Sequence, residues 1–117
     1  MASSLLLVDD HEEFRRAARR MLESAGFEVV GEAADGREAL TLAEALGPDI
    51  VLLDVQLPDL DGLEVAERLD NWGDGPVVVL ISSREAAVYG ERLARSPARG
   101  FLTKAQLSGE ALTAMLG

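Results

Sequence analysis

The stretch IVLLDVQLPDLDG, residues 50–62, sets an aspartate at the end of an apolar run. Ile50, Val51, Leu52 and Leu53 read as a strand buried on both faces, since a strand with one solvated face would alternate. Asp54 follows at once, and Pro58 and Gly62 mark a turn-rich connection. A carboxylate at the exit of so hydrophobic a strand needs a reason, and the flanking segments supply one.

Four other apolar runs surround this one. Leu5 to Val8 is stopped by Asp9 and Asp10, while FEVVGEA covers residues 27–33, PVVVLI 76–81 and RGFLTK 99–104. Helical periodicity fills the gaps. In HEEFRRAARRMLESAG, Phe14, Ala17, Ala18, Met21 and Leu22 share one side, arginines take the other, and Gly26 is a C-terminal stop. DGREALTLAEALG carries Ala39, Leu40, Leu42, Ala43 and Leu46 on its apolar side and ends at Gly47-Pro48. GLEVAERLDNW, REAAVYGERLARS (weakened by Gly90) and SGEALTAMLG complete the helices.

Five strand–helix pairs in alternation predict a parallel sheet covered on both faces. Right-handed crossovers leave few topologies. The expected fold is α/β: a flavodoxin-like (βα)5 doubly wound parallel sheet of five strands in the order 2-1-3-4-5. The 117 residues suit one domain. The short last helix fits a domain cut from a longer protein. Without cysteine there is neither a disulfide framework nor a thiolate metal site. No apolar run approaches the roughly 20 residues of a membrane span, and MASSLLLVDD lacks the basic region of a secretory signal. The expectation is a soluble, cytoplasmic protein with no membrane contact. A formal charge of −10, from 21 acids against 11 bases, disfavours direct nucleic-acid binding.

In open α/β sheets, ligands bind beyond the C-terminal ends of the strands, where strand order reverses. Strands one and three are neighbours there, so Asp9, Asp10 and Asp54 would converge. Crowded carboxylates repel one another and invite a cation, and oxygen donors suit Mg²⁺, which keeps positions free for water and phosphate oxygen. A helix N-cap would explain Asp10 alone but not the set. Ser82 and Lys104 leave the fourth and fifth strands at the same edge. They offer a hydroxyl donor and a compact cation to an anion, although each by itself is an ordinary turn or surface residue. No phosphate loop and no dinucleotide fingerprint is present. His11 reads as a solvated residue in a first helical turn, Trp72 as an anchor for the third helix, and Pro58 and Gly62 as turn formers.

Asp9-Asp10, Asp54 within LLDVQLPDLDG, Ser82 in VVVLISS, and Phe101 and Lys104 in ARGFLTK stand in a specific order and spacing. The whole chain resembles the receiver domain of bacterial two-component response regulators. GFLTKAQLSGEAL is similar to the subfamily that carries a LuxR-type helix-turn-helix output domain. The resemblance implies that Asp54 accepts a phosphoryl group from the phosphohistidine of a sensor histidine kinase. Asp10, Asp54 and the backbone carbonyl of Gln56 would coordinate Mg²⁺, with Asp9 acting through a metal-bound water. Lys104 and Ser82 would contact the phosphoryl oxygens, and Phe101 would be the switch aromatic.

The Gln56 side chain would help to position a hydrolytic water. The fourth helix, fifth strand and fifth helix would form the readout surface, serve a homodimer and control an output domain in cis, a transcriptional one. The domain would be no enzyme beyond self-phosphorylation from small donors and slow autodephosphorylation. Three residues depart from the family pattern. Ala105 stands where proline often follows the lysine, with a trans bond expected; Phe101 replaces a commoner tyrosine, and Ser82 a commoner threonine. Two other readings are a Mg²⁺-dependent phosphohydrolase with an aspartyl nucleophile and an unphosphorylated interaction or dimerisation module. Gln56 lies where the first would need a second acid, and the complete acid set argues against the second.

Overall fold

The computed structural model describes residues 2–117. Five parallel strands, β1 (Ser4–Val8), β2 (Glu28–Ala33), β3 (Ile50–Asp54), β4 (Val77–Ser82) and β5 (Gly100–Thr103), lie in the order β2-β1-β3-β4-β5. This is the expected topology. Helices α1 (Glu12–Ser24) and α5 (Gly109–Leu116) cover one face. Helices α2 (Gly36–Leu46) and α3 (Gly62–Asp70) cover the other, joined by the short α4 (Glu91–Ala94).

The strands read as unbroken apolar runs because both their faces are covered. Leu5, Leu7, Ile50, Leu52, Val79 and Ile81 pack under Ala18, Leu22 and Leu112. The alternate residues Leu6, Val8, Val51, Leu53, Val78 and Leu80 pack under Ala39, Ala43, Val65 and Leu69. Three helices start on a side-chain cap: Asp35 accepts from the Glu38 N–H at 2.8 Å, Asp61 from Glu64 at 3.0 Å and Ser108 from Ala111 at 3.0 Å. Gly47 ends α2 in the left-handed conformation, φ 56°.

The fourth helix departs from expectation. Residues 84–96 hold only a 3-10 turn at Ala86–Val88 and the single turn of α4. Gly90 separates them with φ 57° and ψ −133°, a conformation no helix contains and few residues other than glycine adopt. The third helix likewise stops at Asp70, short of Trp72. Trp72 is 42% exposed and stands at a groove beside Leu40, Arg68 and Asn71, so it borders the gap between α2 and α3 instead of burying itself.

Candidate functional site

Sheet register brings the acids together. Val8 pairs with Leu53, so the next residues, Asp9 and Asp54, leave the sheet side by side. Asp54 pairs with Ile81 and Ser82 with Thr103, so Ser82 and Lys104 reach the same edge. One potential ligand atom from each of Asp9, Asp10, His11 and Asp54 lies within 4.8 Å of the others. Lys104 Nζ sits 2.6 Å from Asp9 Oδ2 and 3.4 Å from Asp54 Oδ2. It also lies 4.4 Å from the centroid of the Phe14 ring, so an aromatic face on α1 helps to hold the ammonium in place.

Asp9 is wholly buried and held from three sides. Its Oδ1 accepts the His11 N–H at 2.8 Å, and its backbone carbonyl accepts from Arg15 Nη1 at 2.6 Å. Arg15 in turn donates to Glu32 on β2 at 3.1 Å. Asp54 is 3% exposed, and its Oδ1 accepts the Gln56 N–H at 3.0 Å. The Gln56 side chain faces solvent. Asp10 lies at the open rim.

Burial pushes the Asp54 carboxyl up to about 6; the neighbouring Asp9 adds to this, and the Gln56 amide and Lys104 only partly offset it. Burial also raises Asp9, but Lys104 and the His11 amide outweigh it and hold that carboxyl below its ordinary value. Burial alone would lower Lys104, yet Asp9 and Asp54 keep its pKa raised. One ammonium therefore serves two buried carboxylates, and Asp10 adds a third negative group. Asp9 Oδ2 makes no aligned hydrogen bond, although the ammonium is close. Surplus negative charge on oxygen donors is what a hard divalent cation neutralises, so the residues present fit Mg²⁺.

Sequence reasoning missed several contacts. His11 is solvent-exposed as expected, but it is the N-cap of α1, and its Nδ1 lies 3.1 Å from Asp9 Oδ1 and 3.1 Å from Asp10 Oδ1. Gly62 does more than shape a turn. A Cβ there would lie 2.2 Å from the Asp54 carbonyl oxygen, and its N–H donates to the Val55 carbonyl at 2.8 Å. In the same loop Asp59 accepts from the Gly36 and Arg37 amides at 2.7 and 2.9 Å, fastening the loop to the start of α2. Among the described residues no peptide bond is cis, so the Lys104–Ala105 bond is trans.

Ser82 joins the edge but not the acids. Its buried Oγ lies 2.5 Å from the Tyr89 hydroxyl and accepts the Arg84 N–H at 3.0 Å. The half-buried Phe101 packs on Tyr89, with ring centroids 6.0 Å apart and planes tilted by 60°. Tyr89 escaped the sequence reading; its only signal is that it is the one tyrosine of the chain, close after Ser82.

A 2-1-3-4-5 sheet that gathers acids from β1 and β3 and a lysine from β5 at its switch point defines the receiver class of signalling domain. The family model described as response regulator receiver domain matches residues 5–116, and the chain belongs to that family. It is 36% identical over 114 residues to the virulence-factor transcription regulator BvgA of Bordetella pertussis, a match covering 97% of this chain and 54% of that protein. The signal receiver domain of NarL from Mycobacterium tuberculosis superposes with a TM-score of 0.84 at 35% identity, over 99% of this chain and 98% of that one. A LuxR-family two-component response regulator from Aurantimonas gives 0.87 at 30% identity, over 99% and 84%. The chain spans about half the length of the curated relatives it matches. No helix among the described residues is long and apolar enough to cross a membrane.

Proposed function

We propose that the chain is a Mg²⁺-dependent phosphoacceptor switch that receives its phosphoryl group on Asp54 from a sensor histidine kinase. The observation that supports this most is the pairing of Asp54 with Asp9 around a single shared lysine at the switch-point edge. A carboxylate with its charge only half compensated is available both to a cation and to an electrophilic phosphorus.

Asp10, Asp54 and the Gln56 carbonyl would hold Mg²⁺, with Asp9 reaching it through water; the ion would supply charge neutralisation for the transferring phosphoryl group. Asp54 is the nucleophile. A carboxylate oxygen forms a bond to phosphorus as the bond to the histidine nitrogen breaks, which leaves an acyl phosphate on Asp54 and a free imidazole on the donor. Such transfers depend on placement and electrostatics more than on covalent help from the protein. The Gln56 amide orients the Asp54 carboxylate. Lys104, steadied by Phe14, stands ready to pair with phosphoryl oxygens. Ser82 donates to a phosphoryl oxygen once drawn inward, and Phe101 follows. With Gln56 rather than an acid two residues beyond the nucleophile, repeated hydrolytic turnover is not expected.

The readout is the α4-β5-α5 surface, which also serves a homodimer. The sensor histidine kinase is the input partner, the domain works in the cytoplasm, and the output is a transcriptional domain in cis. The half-length match to transcription regulators supports that output. The test is mass spectrometry after incubation with a small phosphodonor and Mg²⁺. One phosphoryl group is expected on the wild type and none on Asp54→Asn. A wild type that gains no mass at saturating donor overturns the proposal.

A further inference from the structure

Ser82 is fully buried, yet its hydroxyl is engaged within its own loop, by the Arg84 amide and the Tyr89 phenol, and makes no hydrogen bond to Asp54. The chain has a single tyrosine, and Phe101, which packs on it, has no hydroxyl. The phenol therefore enters from the β4–α4 connection and not from β5. Gly90 follows immediately, with φ 57° and open space where a Cβ would be. Tyr89 thus sits on a short segment that can swing without dragging a long helix.

We propose that Tyr89 is a latch: in the resting state its hydroxyl holds Ser82, and a phosphoryl group on Asp54 must break that bond to recruit the Ser82 hydroxyl, releasing Tyr89 and, through the ring contact, Phe101. This rests on the phosphoacceptor reading of Asp54. The physics is a competition for one small hydroxyl. Ser82 Oγ already accepts the Arg84 N–H, and moving it toward Asp54 takes it out of reach of the phenol. The resting state is stabilised by the net worth of one hydrogen bond, and losing the phenol leaves a buried hydroxyl short of a partner in that state alone. Tyr89 is a positioning residue, since it acts through Ser82.

The latch makes Tyr89→Phe an activating change that keeps the ring and its packing on Phe101. Beryllofluoride with Mg²⁺, a stand-in for the phosphoryl group, is titrated while the amide resonances of Asp54 and Lys104 are followed. The variant should bind it roughly two- to tenfold more tightly than the wild type, the Boltzmann weight of one net hydrogen bond. In a Ser82→Ala background the same substitution should change nothing, an outcome a merely structural tyrosine would not give. Wild-type protein carrying ¹³Cζ-labelled tyrosine should show one resonance, which moves on saturation. Equal or weaker binding by Tyr89→Phe, an undiminished effect in the Ser82→Ala background, or an unmoved tyrosine resonance overturns the latch. If the wild type neither gains phosphoryl mass nor saturates with beryllofluoride, the acceptor reading itself falls; if it does both and the substitution is silent, the latch alone falls.

Discussion

At the β1–β3 corner Asp9 and Asp54 are buried and held by partners from more than one element, whereas beyond β4 the same edge is completed by α4 and β5, whose residues are mostly only partly buried or exposed. Asp9 alone is tied to His11, to Arg15 and through it to β2, and to Lys104. Every residue of β3 is buried. Across the sheet, α4 is one turn with no buried residue, and only Thr103 of β5 is buried. The contacts there include Tyr89, Leu93, Ala98 and Phe101, all only partly buried, against the core, the β4–β5 ladder, the Ser82–Tyr89 bond and an exposed ion pair from Arg92 to Asp61. A site that accepts phosphorus gains from fixed geometry. A surface that reports the event gains from being cheap to move, because new contacts worth a few kcal/mol can shift only an equilibrium of similar size.

The comparison is easiest to break in the core. Leu53→Ala, in a wholly buried strand residue, should cost about 3–5 kcal/mol, while Leu93→Ala under α4 should cost about 1 kcal/mol, both read by urea denaturation. Equal losses would mean that the β4–β5 side is as firmly built as the corner. Next comes Gly62→Ala, which forces a methyl against the Asp54 carbonyl. A loss of about 1–3 kcal/mol is expected. Unlike a core substitution of the same cost, it should also slow phosphoryl acceptance measured by mass, because the displaced backbone belongs to Asp54.

These two sides differed as much in legibility as in construction. The fold could be read because parallel strands buried on both faces are continuous in sequence, and Leu5 to Val8 and Ile50 to Leu53 leave little else to build. The acids could be read because each lies within two residues of a strand end. REAAVYGERLARS was harder. Its apolar residues fit a helix, and only the backbone conformation at Gly90 shows that the helix is broken. Phe14 under Lys104 and Tyr89 on Ser82 are tertiary meetings that no local spacing announces. Gly62 read as a turn former because close approach to Asp54 is invisible until the chain is folded.

Asp54 sharpens the comparison from the other direction, since the fixed corner carries a stability penalty. Its carboxyl titrates at about 6 in the folded chain against an ordinary 3.8. The folded state therefore holds a proton that the unfolded state has lost between about pH 4 and pH 6, and stability declines as pH rises through that window. Above it the penalty is constant. Asp54→Asn should raise stability near neutral pH by about 1–2 kcal/mol, less than the full shift implies because the buried Asn amide must itself find hydrogen-bond partners and no longer pairs with the Lys104 ammonium. It should also flatten the pH dependence, read by urea melts at about pH 5 and about pH 7.5 in chelator. A variant no more stable than the wild type would mean that Lys104 compensates both carboxylates fully.

The smallest effect belongs to the ion pair that pins α4. Arg92 reaches both Asp61 oxygens, at 2.7 and 3.2 Å, from a largely exposed position. Exposed pairs add little to global stability and are screened by salt. Arg92→Ala should therefore leave the denaturation midpoint nearly unchanged. Its effect should appear locally, as amide exchange a few-fold faster across residues 91–94, because apart from this pair the single turn is fastened chiefly by the partly buried Leu93 on the core. Raising the salt concentration in the wild type should reproduce part of that acceleration. If exchange there is as slow in the variant as in β3, α4 is held by its apolar contacts alone, and the weakly fastened surface would have to be sought nearer Tyr89.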